Sequence, residues 1–310
     1  MLINEFKENQ PLELPLLVFQ LKEGVTANGA PYVSVTFQDK SGTIEGKLWD
    51  VKEHQKEILK QGQVVMVKFI SQKYQGNMQL RINDVSGIDQ STININDYLP
   101  TGNINVEELR MEISKAINSI TNKNIQAITK SLLKDIESEF FEYPAAMKNH
   151  HEFVSGLATH VVGMLKVGYA MCELYPLLNR DLLIAGIILH DMGKVEELSS
   201  AIVPEYTKEG KLIGHISIMH ARVKNKAEQL GLVGEEDLLL RHMILSHHGE
   251  YEYGSPVLPM IPEAEVLHLI DNMDARMEMM RKALDTVEPG NFTARIFSLE
   301  NRSIYKTNIE

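Results

Sequence analysis

The first third of the chain alternates hydrophobic and polar residues with a period of two, the spacing of half-buried β-strands. Apolar side chains alternate with polar ones at residues 33–38 and again at residues 44–49. Similar runs predict three further strands at about 14–21, 64–71 and 78–85. Turn residues at 28–29, 40–42 and 75–77 separate the strands, so the pattern predicts a five-stranded β-domain.

Five short strands with a helix between the third and the fourth resemble the OB-fold, a small β-barrel. We expect Asp50 to cap that helix over residues 51–60 and Gly62 to end it. OB-folds often bind single-stranded nucleic acid by stacking bases on exposed aromatic residues beside basic side chains. The candidates on the outer surface are Tyr32, Trp49, Lys68, Lys73 and Arg81. Alternatively, Trp49 closes the end of the barrel, the basic residues are only solvated, and the ligand is an oligosaccharide or a protein.

Beyond residue 104 the apolar residues recur every three or four positions, the spacing of amphipathic helices. Helices are predicted at 106–120, 122–136, 152–173, 180–190, 214–231, 235–247 and 262–287, the second of them capped by Asn122. A hairpin that turns at Glu209 and Gly210 is expected over residues 202–213. We therefore predict a barrel domain over residues 1–90, a linker over 91–104, and a mainly α-helical domain over 105–310.

The 310 residues are 44% hydrophobic and 24% charged, which is the composition of a globular protein with a substantial core. The net charge of -11 would argue against a nucleic-acid partner, because phosphate contacts need positive potential. The charge is unevenly distributed, however. Residues 12–89 carry nine basic and nine acidic residues, whereas residues 151–310 carry 15 basic and 23 acidic residues. The barrel is therefore neutral, and the acidic excess lies in the helical domain.

The single cysteine, Cys172, cannot form an internal disulfide, which fits a reducing compartment, and it excludes a zinc site made of paired cysteines. The longest nearly apolar stretch, residues 182–189, is shorter than the ~20 residues that span a bilayer. The first residues lack the basic and apolar regions of a signal peptide. We therefore expect a cytoplasmic protein without a membrane segment, in which any metal binds to histidines and carboxylates.

Histidine and aspartate residues in the helical domain have the composition of a metal site. His190 and Asp191 end an apolar helix and are followed by Gly193 and Lys194. One such pair is a weak signal, but further candidates lie on or at the ends of other predicted helices: His160, His215, His247, His248 and Asp271. Imidazoles and carboxylates suit Mn²⁺, Fe²⁺, Co²⁺ or Zn²⁺, and two such ions bridged by a carboxylate can hydrolyse a phosphodiester.

In the order His, His-Asp, His, His-His and Asp, these residues resemble the HD-domain metal-dependent phosphohydrolases, in the branch that binds two metal ions. The resemblance implies that one ion is held by His160, His190, Asp191 and Asp271. It implies that the second ion is held by His215, His247 and His248, with Asp191 bridging the two ions as a catalytic residue.

Nearly the whole chain is similar to the YhaM-type 3′-5′ exoribonucleases. The similarity rests on the predicted OB-fold and on the motifs at residues 149–151, 189–194, 246–249, 253–256 and 271–276. Ser155 and Val161 depart from the family pattern, in which we expect glycine and threonine, and neither is a predicted ligand. The similarity implies an exonuclease with two divalent ions, in the first place Mn²⁺. Its implied substrate is single-stranded RNA, with single-stranded DNA as a second substrate.

Three further residues are candidates for contact with the substrate. Lys194 is placed to bind a phosphate oxygen and offset charge in the transition state, and the alternative is a solvated lysine. His151 precedes the helix of His160 and is a candidate phosphate donor or proton carrier, unless it only packs at the start of that helix. Tyr253, in the loop after His248, is a candidate for stacking on the terminal base.

Two other functions remain open at this point. An HD phosphodiesterase could act on a nucleotide or a cyclic dinucleotide, and a single-strand DNA-binding protein could carry a structural metal site. The methionines of one predicted helix either fill the core or contact another subunit of a homo-oligomer: Met273, Met277, Met279 and Met280.

Overall fold

The computed structural model describes residues 1–26, 28–74, 77–99, 105–145 and 154–309. Contacts divide the chain into two compact units, Met1–Gly102 and Asn103–Glu310. The first unit is a β-barrel and the second is mainly α-helical. Both predicted fold classes are therefore confirmed.

The first unit is a closed barrel of five strands. These are β1 (Pro11–Val25), β2 (Pro31–Asp39), β3 (Gly42–Trp49), β4 (Val64–Tyr74) and β5 (Asn77–Gly87). The strands are hydrogen-bonded in the order β1-β2-β3-β5-β4, and β4 closes the barrel on β1. Neighbouring strands are antiparallel except β3 and β5, which are parallel over residues 46–48 and 80–82. With helix α1 (Glu53–Ile58) between β3 and β4, this is the topology of an OB-fold.

The inward positions of the strands are filled with apolar side chains. Phe37 and Phe69 are fully buried, and Phe69 packs against Phe6 with ring centroids 5.3 Å apart. Burying one such side chain stabilises the fold by roughly 1.5–3 kcal/mol. Because the interior of this small barrel is filled, a ligand of the barrel must bind on the outer surface of the strands.

Helix α1 is shorter than predicted, and Asp50 does not cap it. Asp50 has a φ of 51°, in the left-handed region, and forms the bend after β3. The first turn of α1 is held by Gln55 instead, whose side-chain oxygen accepts a 3.0 Å hydrogen bond from the backbone N–H of Lys52. The side-chain amide of Gln55 also donates to Asp84 of β5 at 2.8 Å, which anchors the helix to the barrel. Gly62, with a φ of 82°, shapes the turn before β4 and lies beyond the end of the helix.

The residues that follow β5 pack on the barrel. Short 3-10 helices cover Gln90–Thr92 and Ile95–Tyr98. The Gln90 side chain accepts a 3.1 Å hydrogen bond from the backbone N–H of Val64 and donates to its carbonyl at 2.8 Å. Leu99 is buried. Residues 91–99 of the predicted linker thus belong to the barrel unit, and residues 100–104 lie outside the described residues.

The second unit consists of helices around one almost fully buried helix. Its helices are α2 (Val106–Asn118), α3 (Lys123–Asp135), α4 (Glu137–Glu142), α5 (Gly156–Leu174), α6 (Arg180–Leu189), α7 (Lys194–Glu197), α8 (Lys208–Leu212), α9 (Gly214–Leu230), α10 (Glu235–Ser246) and α11 (Pro262–Leu284). Helix α6 is buried from residue 182 to residue 189 and packs against α3, α5, α10 and α11. Within the described ranges, no helix combines the length and the apolar character that crossing a membrane requires.

Polar contacts fix the position of α6 along its axis. Asn122 caps α3 as predicted, since its side chain accepts hydrogen bonds from the backbone N–H groups of Asn124 and Ile125. Just before this cap, Thr121 donates to Asp181 of α6 through its backbone N–H at 2.8 Å and its hydroxyl at 2.6 Å. The start of α6 is therefore tied to the start of α3, which determines where the other end of α6 lies.

Residues 202–213 do not form the predicted hairpin. Helix α8 occupies residues 208–212, and Thr207 caps it by accepting a 2.8 Å hydrogen bond from the N–H of Gly210. Strand-like pairing in this segment is a single bridge between Leu198 and Tyr206. A Cβ atom at position 210 would lie 2.3 Å from the carbonyl oxygen of Glu197. The glycine that suggested a turn is thus needed for close approach of two backbones.

Candidate metal centre

Seven histidine and aspartate side chains come together in the helical unit. They are His160 in α5, His190 and Asp191 after α6, His215 in the first turn of α9, His247 and His248 after α10, and Asp271 in α11. These seven residues are the candidate metal ligands, and we call the group the metal centre. All seven were predicted as ligands from the sequence, and four of them lie where the buried helix α6 and the partly buried helix α10 end.

The two oxygens of Asp191 face two different sets of histidines. Its Oδ2 lies 3.4 Å from Nε2 of His190. Its Oδ1 lies 3.4 Å from Nε2 of His215 and 3.7 Å from Nε2 of His247. Only 2% of Asp191 is exposed. A buried carboxylate in this position is suited to bridge two metal ions.

The potential ligand atoms form two groups. Those of His160, His190 and Asp191 lie within 4.8 Å of one another, and so do those of His215, His247 and His248. Asp271 joins the first group because its Oδ1 lies 3.2 Å from Nε2 of His160. This is the division that the resemblance to HD-domain phosphohydrolases implies.

Each histidine of the metal centre is held through its Nδ1 atom. The partners of His190, His247 and His248 are backbone carbonyls at 2.7–2.8 Å, those of Ile187, Ile244 and Tyr253 respectively. The partners of His160 and His215 are carboxylates, Asp274 at 2.7 Å and Glu197 at 3.1 Å. An acceptor at Nδ1 places the ring proton there and leaves the lone pair of Nε2 free to bind a metal ion.

Several buried atoms of the metal centre lack a hydrogen-bond partner among the described residues. They are Nε2 of His190, His215 and His247, and Oδ1 of Asp191. A buried polar atom without a partner is destabilising and therefore rare. Imidazole nitrogens and carboxylate oxygens that converge in this way fit a divalent cation. The metal centre is therefore built to bind divalent metal.

The charges around Asp191 favour its ionised form. Burial alone would raise the pKa of Asp191, but Lys194 and His190 outweigh burial and hold that pKa well below its ordinary range. Lys194 Nζ lies 2.6 Å from Asp191 Oδ2, and although burial opposes its charge, this contact raises the pKa of Lys194. Burial holds the pKa of His247 well below its ordinary value. An ionised carboxylate and a neutral imidazole are the forms that bind metal.

Gly193 lets the turn after α6 approach the start of α9. A Cβ atom at position 193 would lie 2.3 Å from the carbonyl oxygen of His215, far inside van der Waals contact. The two backbones therefore touch where Asp191 faces His215. A side chain at position 193 would separate these two ligands.

The predicted substrate-contact residues of the helical unit lie in different parts of the chain. Lys194 begins α7, and 13% of its side chain is exposed. Tyr253 ends a short 3-10 helix, where its carbonyl accepts from Nδ1 of His248 while its ring is exposed. The ring of Tyr253 is thus accessible, and its backbone carbonyl orients the ring of His248, a candidate metal ligand. His151 lies outside the described residues.

In the barrel, both predicted aromatic residues lie on one outer surface. Tyr32 and Trp49 are partners across β2 and β3, and their ring centroids are 5.0 Å apart. Lys47 Nζ lies 5.8 Å from the centroid of Tyr32 and 5.5 Å from that of Trp49. Arg81 is exposed and is the register partner of Lys47 on β5. Tyr32, Lys47, Trp49 and Arg81 form the aromatic face.

A glycine in β1 lets the ring of Tyr32 lie against the strand. A Cβ atom at Gly24 would lie 2.6 Å from Cζ of Tyr32. Trp49 is 46% exposed beside it and therefore does not close the end of the barrel. Two neighbouring rings with a cation above them are typical of a surface on which bases stack.

Lys68 and Lys73 lie on another part of the barrel. Both belong to β4, which neighbours neither β2 nor β3. Lys68 stands between its register partners Glu13 and Asp84, and Lys73 Nζ lies 4.0 Å from Glu8. The sequence grouped these two lysines with Tyr32 and Trp49, but the structure separates them. The reason is the order of strands around the barrel, in which β5 lies between β3 and β4.

Two residues that contact these sites were not predicted. Lys47 shares strand parity with Trp49, and that signal could have placed it on the aromatic face. Glu197 accepts hydrogen bonds from His215 across the segment that contains α8, and no local pattern marks it.

Comparison with known proteins finds relatives along the whole chain. Residues 157–276 match the HD domain family. The chain is 48% identical to a 3′-5′ exoribonuclease YhaM of Geobacillus sp. (strain WCH70), over 98% of this chain and 94% of that protein. It is 49% identical to the protein of the same name from Bacillus subtilis (strain 168), over 94% of this chain and 93% of that one. Among solved structures, a domain of replication protein A from Methanococcus maripaludis matches 29% of this chain and 97% of that domain, with 21% identity and a TM-score of 0.26.

Proposed function

This chain belongs to the family of YhaM 3′-5′ exoribonucleases, and from that we propose that it degrades single-stranded RNA at a centre of two divalent cations. It is a metal-dependent hydrolase of RNA. The observation that carries the two-cation proposal is Asp191, whose two carboxylate oxygens face two sets of nitrogen ligands. Single-stranded DNA, which has the same phosphodiester linkage, is expected as a second substrate.

The division of the candidate ligands into two groups supports a separate set of residues for each cation. We propose that the first cation is held by His160, His190, Asp191 and Asp271, and the second by Asp191, His215, His247 and His248. Cations held by these residues would supply Lewis acidity toward the phosphodiester and would lower the pKa of bound water. Mixed nitrogen and oxygen donors accept Mn²⁺, Fe²⁺, Co²⁺ or Zn²⁺, and we expect Mn²⁺, as the family resemblance implies.

The protein's own side chains bind and orient the substrate. Lys194, whose raised pKa keeps it charged at neutral pH, is placed beside Asp191 to contact a non-bridging phosphate oxygen. There it would offset the negative charge that develops in the transition state. The exposed ring of Tyr253 is available to stack on the terminal base, and His151 is expected to donate to the phosphate or carry a proton.

We propose that the aromatic face binds bases of the RNA upstream of the cleaved bond. Tyr32 and Trp49 provide stacking surfaces, and Lys47 and Arg81 provide positive charge for the phosphates beside them. Stacking is tolerant of sequence because every base has an aromatic face, so binding there suits an exonuclease that meets all sequences.

Loss of either stacked ring is expected to weaken binding of long RNA. Base stacking on one aromatic residue contributes about 1–3 kcal/mol, so Tyr32→Ala and Trp49→Ala should each raise the KM by about 5- to 150-fold. The kcat should change little, and hydrolysis of a dinucleotide should be unaffected, because the aromatic face is not part of the metal centre. Tyr74→Ala, which removes an exposed tyrosine of β4, is the matched control. An equal loss with Tyr74→Ala, or an equal loss on the dinucleotide, would argue against a role of this face in RNA binding.

A time course on single-stranded RNA labelled at its 5′ end, with Mn²⁺ and beside a chelated sample, tests the activity itself. We expect products that shorten progressively from the 3′ end and that are absent without metal. A DNA strand of the same sequence tests the second substrate. If RNA stays intact while nucleotides or cyclic dinucleotides are hydrolysed, the protein is a small-nucleotide phosphodiesterase. If it binds single-stranded DNA and hydrolyses nothing, it is a binding protein with a structural metal site.

We also propose that the enzyme works in the cytoplasm, where its single unpaired cysteine, Cys172, matches the reducing conditions. A homo-oligomer stays a prediction from the methionine-rich helix. Met273 and Met277 of α11 are exposed and would be available for a subunit contact. Size-exclusion chromatography with light scattering would measure the oligomeric state directly.

A further inference from the structure

The histidines of the metal centre are held by two kinds of acceptor. Three have backbone carbonyls behind them, whereas His160 and His215 have the carboxylates of Asp274 and Glu197. His160 belongs to one group of ligands and His215 to the other. Each proposed cation position therefore contains one histidine that is supported by a carboxylate.

Asp274 reaches His160 because Gly163 leaves room for it. Asp274 Oδ2 lies 2.7 Å from Nδ1 of His160, and a Cβ atom at Gly163 would lie only 2.7 Å from Asp274 Oδ1. His160 is fully buried, so water does not replace the carboxylate. Asp271, one turn earlier in α11, lies 3.2 Å from Nε2 of the same ring. The ring of His160 is thus aligned by one carboxylate while it presents its other nitrogen to the metal centre.

Glu197 is positioned by the segment around α8. Its Oε1 accepts hydrogen bonds from the backbone N–H and from Nδ1 of His215, both at 3.1 Å. Its own carbonyl accepts from the backbone N–H of Thr207 at 2.9 Å, and Gly210 packs against its backbone. The segment therefore places a carboxylate behind His215, and only glycine at position 210 permits that approach.

We propose that Asp274 and Glu197 are positioning residues that set the metal affinity of the two halves of the metal centre separately. This inference rests on the two-cation function proposed above. A carboxylate behind a histidine fixes the ring orientation, keeps the proton on Nδ1 and makes Nε2 a more basic donor than a neutral carbonyl would. Removing such a partner typically lowers metal affinity by about 10- to 100-fold.

Calorimetric titration of the chelator-treated full-length protein with Mn²⁺ alone tests the proposal. The wild type is expected to bind two equivalents. Asp274→Ala should lower the affinity for one of the two Mn²⁺ ions by about 10- to 100-fold and leave the affinity for the second ion unchanged. Glu197→Ala should do the reverse and lower only the affinity for the second ion. Asp274→Asn and Glu197→Gln retain an oxygen that can accept from Nδ1 but lose the charge, so their affinities should lie between those of the wild type and the alanine variants.

A third substitution identifies which equivalent is which. His248→Ala removes a ligand from the group that contains His215 and leaves the group of His160 intact. The His248→Ala protein should still bind one Mn²⁺ ion tightly. Adding Asp274→Ala should lower the affinity for that ion by about 10- to 100-fold, whereas adding Glu197→Ala should leave this affinity unchanged.

Variants that separate positioning from folding complete the experiment. Glu265→Ala on α11 and Glu209→Ala on α8 remove exposed carboxylates from the same elements and should bind Mn²⁺ as the wild type does. Gly163→Ala displaces Asp274 without removing a charge and should reproduce the loss seen with Asp274→Ala. Melting temperatures measured with chelator present should stay close to that of the wild type for every variant.

The outcomes distinguish this inference from the function on which it rests. If the wild type binds two equivalents and the two alanine variants weaken both alike, or weaken neither, the positioning roles are wrong and the two-cation centre stands. The positioning roles are also wrong if every variant that loses affinity has a lowered melting temperature in the presence of chelator. A wild type that binds fewer than two equivalents of Mn²⁺ would overturn both proposals.

Discussion

Replacing Asp191 with asparagine is expected to lower the turnover number on single-stranded RNA by about a thousandfold, which corresponds to several kcal/mol of transition-state stabilisation. Asparagine has nearly the same volume, so packing around this buried side chain should be kept. It lacks the negative charge, and it offers one oxygen where aspartate turns one oxygen toward His190 and the other toward His215. The kcat on single-stranded RNA at saturating Mn²⁺ and the metal content of the purified variant are the two measurements.

The matched control for this variant is Asp285→Asn, at the exposed C-terminal end of α11, which should keep both activity and metal. A joint loss of metal and turnover in Asp191→Asn would support the bridging role. A variant that keeps near-normal turnover with two ions bound would show that Asp191 is not the bridge. The two-cation proposal would then lose the observation that carries it.

Replacing Lys194 with methionine is expected to lower the turnover number by about 100- to 1000-fold, the usual effect of removing one group that stabilises developing charge. Methionine keeps an apolar stem of similar length and removes only the ammonium group. The metal content should not fall, because Asp191 loses a competing cation at 2.6 Å and keeps its place in the metal centre. The kcat on a short RNA and the metal content together measure the effect.

Lys208→Met serves as the control, since Lys208 lies on the exposed part of α8 and touches no ligand of the metal centre. If metal is lost from Lys194→Met in proportion to activity, Lys194 acts by holding Asp191 and has no direct role toward the phosphate. A normal kcat with metal bound would rule out both roles.

Four of the seven residues that the structure brings together in the metal centre have a local signature in the sequence. His190 and Asp191 interrupt an apolar run at the point where α6 must end, and His247 and His248 do the same for α10. Where a helix ends inside the core, a polar side chain is tolerated only if it has a partner, so these positions indicate a site. The spacing of the helices and the family pattern supplied the rest.

The histidine partners of Asp274 and Glu197 could not be predicted, because these contacts depend on how distant segments pack. Asp274 meets His160 only through the packing of α11 on α5 at Gly163. Glu197 meets His215 only because residues 208–212 form a capped helix where the turn residues suggested a hairpin. Periodicity carries no information about either contact.

The barrel shows the same division between local and non-local information. Strand parity placed Tyr32 and Trp49 on the outer surface, and the structure shows them there in contact. Strand parity also placed Lys68 on the outer surface. It could not show which strands neighbour β4, because that order depends on how the barrel closes. The sequence therefore predicts which side a residue faces more securely than it predicts its neighbours on that side.

A cation held between Asp191 and the ligands of α5 and α11 would join segments that are far apart along the chain, from His160 to Asp271. A chain with one cysteine cannot achieve this with an internal disulfide, so the bound ion acts as a reversible cross-link. Because the unfolded chain cannot present this arrangement of ligands, binding stabilises only the folded form. The free energy of unfolding then rises by about 1.4 kcal/mol for each tenfold increase of free cation above the Kd. Removing free divalent cation should therefore lower the stability of the folded enzyme as well as its activity on RNA.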